Sequence, residues 1–224
     1  MRVATLHLGG IPRGAVVLLR SGAATGPDVV ETMNGLAERG YESVAADLAT
    51  DLAPSGAPGD DDALRVLEAL IELLGRRGWA DEQIGLVGYG FGGRIALLAA
   101  ATTTFGAAVS IDPDGLTDLV ARFASGGRGL CTPWLGMFGR EEPATPAPGV
   151  SRLGNALASS SSVFTQLVSY PGVAGQFYRD DRETVAHAAA FDSWQRVVEW
   201  LDARVVPRPT PLAEAWLLRQ LVGR

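Results

Sequence analysis

The residues most suggestive of chemistry form a glycine-rich turn at positions 88–93, with the sequence GYGFGG. An apolar run at 84–87 leads into this turn, and an apolar segment follows it. A strand, a sharp turn and a helix in this order expose the middle residue of a small-x-nucleophile-x-small motif, where Ser or Cys attacks a carbonyl carbon. The middle residue here is Gly90. The turn therefore predicts a nucleophile site that lacks its nucleophile.

The composition of the chain argues against several classes of binding partner. The chain has 224 residues and a net charge of −6, and no basic patch stands out, so we expect no nucleic-acid partner. No apolar run reaches the roughly 18 residues that a membrane span needs. The N-terminus lacks the apolar core of a signal peptide, and a single cysteine permits no internal disulfide, so we expect a cytoplasmic protein. No metal-ligand spacing is present, and we expect no cofactor.

Strand and helix patterns alternate along the chain and predict a mainly parallel sheet with helices on both faces. The first two strands are expected to form an N-terminal pair. Ligands of such sheets bind beyond the carboxyl ends of the strands. The predicted strands are 2–8, 14–20, 42–48, 84–89, 105–111, 132–138 and 164–170. The segments expected at the ligand edge are 20–24, 88–93, 111–115, 139–143 and 171–178.

Four stretches together resemble the dienelactone hydrolase family of α/β-hydrolases, over about residues 14–203. They are LAERGY at 36–41 with ADL at 46–48, GYGFGG at 88–93, LGMFGREEP at 135–143 and YPGVAGQF at 170–177. The resemblance implies an α/β-hydrolase fold without a large cap domain.

The family works through a Cys-His-Asp triad. Carried over by position, its nucleophile falls on Gly90, its acid on Glu142 and its histidine on Gly175. Glycine can neither attack a carbonyl nor carry a proton, and losing a triad nucleophile or base costs about 10⁶ in turnover in a well-studied protease. We therefore expect no ordinary triad hydrolysis, although the resemblance implies a carboxylic-ester or lactone hydrolase.

The backbone of the turn predicts a residual oxyanion hole. Glycine adopts a positive φ without steric cost, so Gly90 can keep the turn. The Phe91 N–H is expected at the helix start, with a second donor near Gly22 or Ala23. Two such donors bind carboxylates or polarised carbonyls. The hypothesis is a protein that binds a small carbonyl or carboxylate compound without ester hydrolysis.

Three alternatives stay open beside this hypothesis. The pocket can serve a lyase, isomerase or cyclase that needs no covalent step. It can serve a carboxylic-ester or lactone hydrolase whose catalytic residues have moved. It can also be a decayed site that holds only water.

Charged residues at the predicted ligand edge are candidate replacements. Asp112 and Asp114 follow a core strand, and either can be a relocated acid, although Asp-Pro-Asp-Gly is also ordinary turn and helix-capping sequence, which we favour. Arg20 ends another strand and can clamp a substrate carboxylate or pair with Glu142.

The other candidates are weaker. Tyr89 is expected to pack rather than react, and Gln176 is a candidate ligand contact because it follows Gly175. His187 is expected on a solvent-facing helix surface, and His7 in the first strand. Cys131 starts a strand, so we expect it about 25 Å from the site, at the opposite end of the sheet.

The last residues form a separate segment. We place the domain at 1–205, followed at 206–224 by a Pro-rich linker and an amphipathic helix with Thr210 as its N-cap. The helix must bury Trp216 against its own domain or against a second subunit, and the second case would make a homodimer.

Overall fold

The central sheet organises the part of the chain described by the computed structural model, which covers residues 4–6, 11–21, 29–49, 59–125, 129–140, 147–179 and 184–222. Its strands are β1 (Ala4–Leu6), β2 (Gly14–Arg20), β3 (Tyr41–Asp47), β4 (Ile84–Tyr89), β5 (Ala107–Ile111), β6 (Trp134–Arg140) and β7 (Thr165–Pro171). The helices are α1 (Val29–Glu38), α2 (Asp60–Arg76), α3 (Phe91–Ala100), α4 (Leu116–Ala124), α5 (Ala147–Ser160), α6 (Thr184–Arg204) and α7 (Pro211–Val222).

The strand order among the described residues is β1-β3-β2-β4-β5-β6-β7. Six strands run parallel, and β1 runs antiparallel to β3 at the edge. The expected pairing of the first two strands is therefore wrong. Parallel pairing with β3 and β4 occupies both sides of β2, so β1 cannot pair with β2 and pairs with the outer side of β3 instead.

Helices cover both faces of the sheet, as predicted. α1 and α6 pack on one face, and α2, α3, α4 and α5 pack on the other. Strand β2 is buried from Gly14 to Leu19 and β4 along its whole length, as expected for strands covered on both faces. Within the described ranges no insertion forms a separate cap domain. None of the described helices is long and apolar enough to cross a membrane.

Two glycines allow α3 to pack closely against the strands before it. A Cβ atom on Gly88 would lie 2.1 Å from the Gly92 carbonyl oxygen, and one on Gly92 would lie 2.2 Å from the Leu19 carbonyl oxygen. Both contacts are far inside van der Waals distance. The small residues on either side of Gly90 are thus required by the approach of backbone to backbone.

The C-terminal helix begins where the sequence predicts. The Thr210 hydroxyl accepts a hydrogen bond from the Ala213 N–H at 3.2 Å and caps α7. Just before it, the Arg208 N–H donates to the Arg13 carbonyl oxygen at 2.7 Å, which fixes the linker to the domain. On α7 itself the Trp216 side chain is 55% exposed, so it is not buried against the described part of its own domain, as one alternative expected. Association with a second subunit through α7 stays a prediction.

Candidate functional site

The turn between β4 and α3 is the centre of the candidate site. Gly90 has φ 55° and ψ −120°, a conformation that side chains rarely adopt, and it is the N-cap residue of α3. Its N–H donates to the Ile111 carbonyl oxygen at 3.0 Å, which ties the turn to the end of β5. The predicted sharp turn with a positive φ is confirmed.

The packing around Gly90 leaves room for a Cβ atom, although the positive φ strains any residue that carries one. A Cβ atom on Gly90 would lie 3.4 Å from the Tyr178 hydroxyl oxygen and 3.5 Å from Asp114 Oδ1. These are ordinary van der Waals contacts, so steric crowding does not demand a glycine here. A phenol and a carboxylate therefore lie directly beside the predicted nucleophile position.

The Asp114 carboxylate lies at the N-terminal end of α3. It accepts a hydrogen bond from the Phe91 N–H, the donor predicted for the oxyanion hole. Burial raises the pKa of Asp114, while the Arg94 guanidinium and the Phe91 N–H act in the opposite direction. Arg94 is itself held by both carboxylate oxygens of Asp60, each at 2.8 Å. The positive N-terminal end of α3 is therefore already next to a carboxylate of the protein itself, that of Asp114.

Asp112 reaches across to the segment that follows β7. Its Oδ2 accepts a hydrogen bond from the Gln176 N–H at 2.7 Å. A Cβ atom on Gly175 would lie 2.8 Å from the same oxygen, closer than real Cβ atoms come. The Asp112 carboxylate therefore occupies the space in which a side chain at position 175 would begin.

The contact between Asp112 and Gln176 combines backbone strain with a raised carboxyl pKa. Among the described non-glycine residues only Asp112 (φ 46°) and Gln176 (φ 61°) have positive φ, and the hydrogen bond above joins them. Such strain persists only where the surrounding structure enforces it, and it clusters at functional sites. Burial, with a smaller contribution from the Asp114 charge, raises the pKa of Asp112 to about 6.

The favoured interpretation of Asp112 and Asp114 as turn and helix-capping residues holds for the turn, but neither carboxylate caps the helix that follows it. The N-cap of α4 is Gly115, in the left-handed conformation, and no side chain caps that helix. The two carboxylates bind the backbone N–H groups of Gln176 and Phe91 instead. Because both N–H groups belong to distant segments, the local sequence could not reveal these partners.

Two other candidates have structural partners. The Arg20 Nε lies 4.0 Å from Asp47 Oδ2, where β2 and β3 end side by side. Tyr89 is buried, as predicted for a packing residue, and shares a hydrogen bond with Thr32. Its ring meets the Tyr178 ring edge-on at 5.0 Å, and burial raises the pKa of its hydroxyl.

The remaining chemistry-bearing residues lie away from Gly90 or outside the described part. His187 lies on α6 with an exposed side chain, as predicted. The Cys131 N–H donates to the Ala100 carbonyl oxygen, at the opposite end of α3 from the turn. In the described ranges no group of three His, Cys, Asp or Glu residues could hold a metal ion. The candidates outside the described residues are His7, Gly22, Ala23 and Glu142.

Tyr178 is the site residue that sequence analysis missed. It follows the YPGVAGQF stretch at 170–177, and a short 3₁₀-helix at Phe177–Arg179 aims it towards Gly90. Its position directly after that stretch was the available signal.

The sheet order and the turn define an α/β-hydrolase fold, and comparisons with known proteins agree. The chain is similar to a crystal structure assigned as a dienelactone hydrolase from Klebsiella pneumoniae (TM-score 0.68, 21% identity, 89% of this chain and 92% of that chain). It is also similar to esterase 2 from Thermogutta terrifontis (TM-score 0.71, 16% identity, 93% of this chain and 91% of that chain). At these identities the likeness concerns the fold.

The family is shown by sequence. The model of the dienelactone hydrolase family matches residues 13–205, and this chain belongs to that family. A protein of Yersinia pestis assigned as a carboxymethylenebutenolidase is 26% identical over 149 residues, which cover 63% of this chain and 54% of that protein. An Escherichia coli K12 protein with the same assignment is 27% identical over 146 residues. The chain thus spans about half the length of the curated relatives that it matches.

Proposed function

We propose that this protein binds a small neutral carbonyl compound above Gly90 and does not hydrolyse esters through a covalent intermediate. One observation carries the proposal. Gly90 has the backbone conformation of a nucleophile turn, yet the groups next to it are the Asp114 carboxylate and the Tyr178 hydroxyl. The proposed loss of the Cys and His of the triad, at Gly90 and Gly175, removes acyl transfer but keeps the backbone conformation of the turn.

The same neighbours favour a neutral ligand over a carboxylate. The Asp114 carboxylate accepts the Phe91 N–H, so a ligand carboxylate at the helix end would meet a like charge. Arg20, the predicted carboxylate clamp, lies against Asp47. The Tyr178 hydroxyl can donate to a carbonyl oxygen at this position.

Binding of butyramide and butyrate at pH 7.5, followed by amide NMR shifts, tests this preference. We expect butyramide to bind the native protein at least about 10-fold more tightly. The Asp114→Asn variant should bind butyrate about 10-fold more tightly than the native protein does, because it removes the like charge at the helix end. The matched control is Asp118→Asn, which also removes a carboxylate near Arg94, but one on α4 rather than beside Gly90.

An ester assay completes the test. With p-nitrophenyl acetate we expect neither a burst nor turnover, and no acyl adduct by mass spectrometry in a Cys131→Ala background. A burst that survives this change would contradict the proposal, and so would butyrate binding as tight as that of butyramide.

A second candidate function is proton transfer at a carbon next to a carbonyl. It is favoured by Asp112, a strained and partly buried carboxylate whose raised pKa of about 6 suits a general base near neutral pH. In this function Asp112 would take the proton, and Tyr178 would hydrogen-bond the enolate-like oxygen.

Deuterium exchange separates this candidate from simple binding. We expect the protein to catalyse exchange of the α-protons of cyclohexanone in D₂O, seen by loss of their NMR signal. The rate should rise with pH through about 6. Asp112→Asn should lower it by about 10²-fold or more, because general bases contribute that much, while Asp118→Asn should not. Exchange no faster than in buffer would exclude this candidate and leave the binding proposal standing.

A further inference from the structure

A groove of about 650 Å³ lies between α1 and α6, a size typical of small-molecule sites. Tyr89 and Tyr178 line it. A Cβ atom added to Gly90 would lie 3.4 Å from the Tyr178 hydroxyl oxygen. The rings of Tyr89 and Tyr178 contact each other, so this pair of tyrosines lies between the groove and the turn. The groove therefore adjoins the candidate site without including Gly90 or the two aspartates among its described lining residues.

Aromatic side chains also line the groove along α6. Trp194 packs directly on α1, because Gly35 there has no side chain and a Cβ atom on it would lie 2.7 Å from Trp194 Cζ2. Phe191 lies one helical turn before Trp194 and is 63% exposed. With Tyr89 and Tyr178, four aromatic rings line one cavity, and the ring of Phe191 is largely in contact with solvent.

The charges around the groove are negative. Glu31 and Glu38 line it from α1, seven residues apart and therefore on the same helix face. The described lining also includes one imidazole, His187, but no Lys or Arg. Such a surface attracts cations and repels carboxylates and phosphates. Aromatic rings beside carboxylates are the combination that recognises organic ammonium groups.

We propose that this groove binds a small alkylammonium or quaternary ammonium compound, with the cation between the α1 glutamates and the aromatic side chains of α6. This inference goes beyond the proposed function and does not rest on it, because it requires no carbonyl group in the ligand and no reaction at Gly90. Tyr178 is the residue through which an occupied groove would touch the neighbouring site.

Choline and its uncharged isostere 3,3-dimethyl-1-butanol provide the test. Both are titrated into the full chain at pH 7.5 and 50 mM salt, with tryptophan fluorescence and NMR shifts of the α1 amides as readouts. We expect choline to bind about 10-fold more tightly, since the two compounds differ in charge and hardly in shape. Equal affinity, or no saturation by choline up to 100 mM, would overturn the inference.

Variants identify which groups act. The Glu31→Gln, Glu38→Gln double variant should lose about 10-fold in choline affinity and keep its affinity for the alcohol. Its control is Glu68→Gln, Glu72→Gln on α2, which changes the net charge equally without touching the groove. An equal loss of choline binding in the control would show a general charge effect and overturn the inference.

The aromatic contribution has its own pair of variants. Phe191→Ala should weaken choline binding about 3-fold or more, as expected for loss of an exposed cation–π contact. Val185→Ala, an exposed apolar residue on the same helix that is absent from the described groove lining, should leave it unchanged. Choline binding that survives Phe191→Ala undiminished would contradict the placement of the cation. Because choline carries no carbonyl group, these results are independent of the amide titration at Gly90.

Discussion

A Gly90→Cys, Gly175→His double variant is expected to hydrolyse p-nitrophenyl acetate no faster than the Gly90→Cys single variant. The two changes would rebuild the family's nucleophile and histidine at the predicted positions. A Cβ atom at position 90 would have only ordinary van der Waals contacts, so a cysteine has room there, although the positive φ of 55° strains it. Histidine at position 175 requires Asp112 to move, because the histidine Cβ would lie 2.8 Å from Asp112 Oδ2.

Moving Asp112 away from a Cβ atom at position 175 also destabilises the folded protein. Asp112 can move only by giving up its 2.7 Å hydrogen bond from the Gln176 N–H. Overpacking of this kind costs about 1–3 kcal/mol, and loss of a hydrogen bond to a charged group adds to it. We therefore expect urea unfolding to show a destabilised double variant, with most of the loss coming from the Gly175→His change.

A triple variant that adds Asp112→Ala distinguishes steric exclusion from a general loss of function. Without the carboxylate the imidazole can enter the pocket, so we expect a burst of p-nitrophenolate from a Cys–His pair in the triple variant. The double variant should show no such burst. Hydrolysis by the double variant equal to that of the triple would mean that Asp112 does not exclude the histidine.

Ionisation of Asp112 is expected to lower the stability of the native protein as the pH rises from about 4 to 7. The folded-state pKa of about 6 lies above the ordinary value of 3.8, because burial disfavours the charged form. The folded protein therefore binds more protons than the unfolded chain in this window, and the free energy of unfolding falls as pH rises. The difference between the two pKa values corresponds to about 3 kcal/mol.

Asp112→Asn isolates this contribution, because the amide keeps an oxygen for the Gln176 N–H but cannot ionise. Other carboxylates change the stability of the protein with pH in the opposite direction. The hydrogen bond from Arg94 lowers the pKa of Asp60, so the stabilisation that Asp60 contributes is lost as the pH falls. The quantity to measure is thus the native-minus-variant difference in unfolding free energy from urea melts at pH 4.5, 5.5, 6.5 and 7.5. It should fall by about 2 kcal/mol across this range, because part of the full effect is already lost below pH 4.5. A difference independent of pH would contradict the prediction.

Local sequence was sufficient to predict most of the fold. Alternating apolar runs and helix patterns predicted the parallel sheet and its covering helices, because burial on both faces leaves a continuous apolar signature. The glycine cluster at 88–93 predicted the sharp turn, because Gly88 and Gly92 leave no room for a Cβ atom and Gly90 adopts a positive φ without the strain that a side chain brings. Thr210 was predictable as the cap of the last helix because its partner, the Ala213 N–H, lies only three residues further along the chain.

The arrangement of the site depended on contacts between distant segments. Asp112 and Gln176 are 64 residues apart in sequence, and their hydrogen bond forms only because β5 and the segment after β7 end at the same edge of the sheet. The Asp114 carboxylate meets the Phe91 N–H for the same reason. A local pattern could therefore predict a glycine turn without a nucleophile. Only tertiary structure decided that a carboxylate lies at the helix end, that Tyr178 faces Gly90, and that Asp112 fills the space beside Gly175.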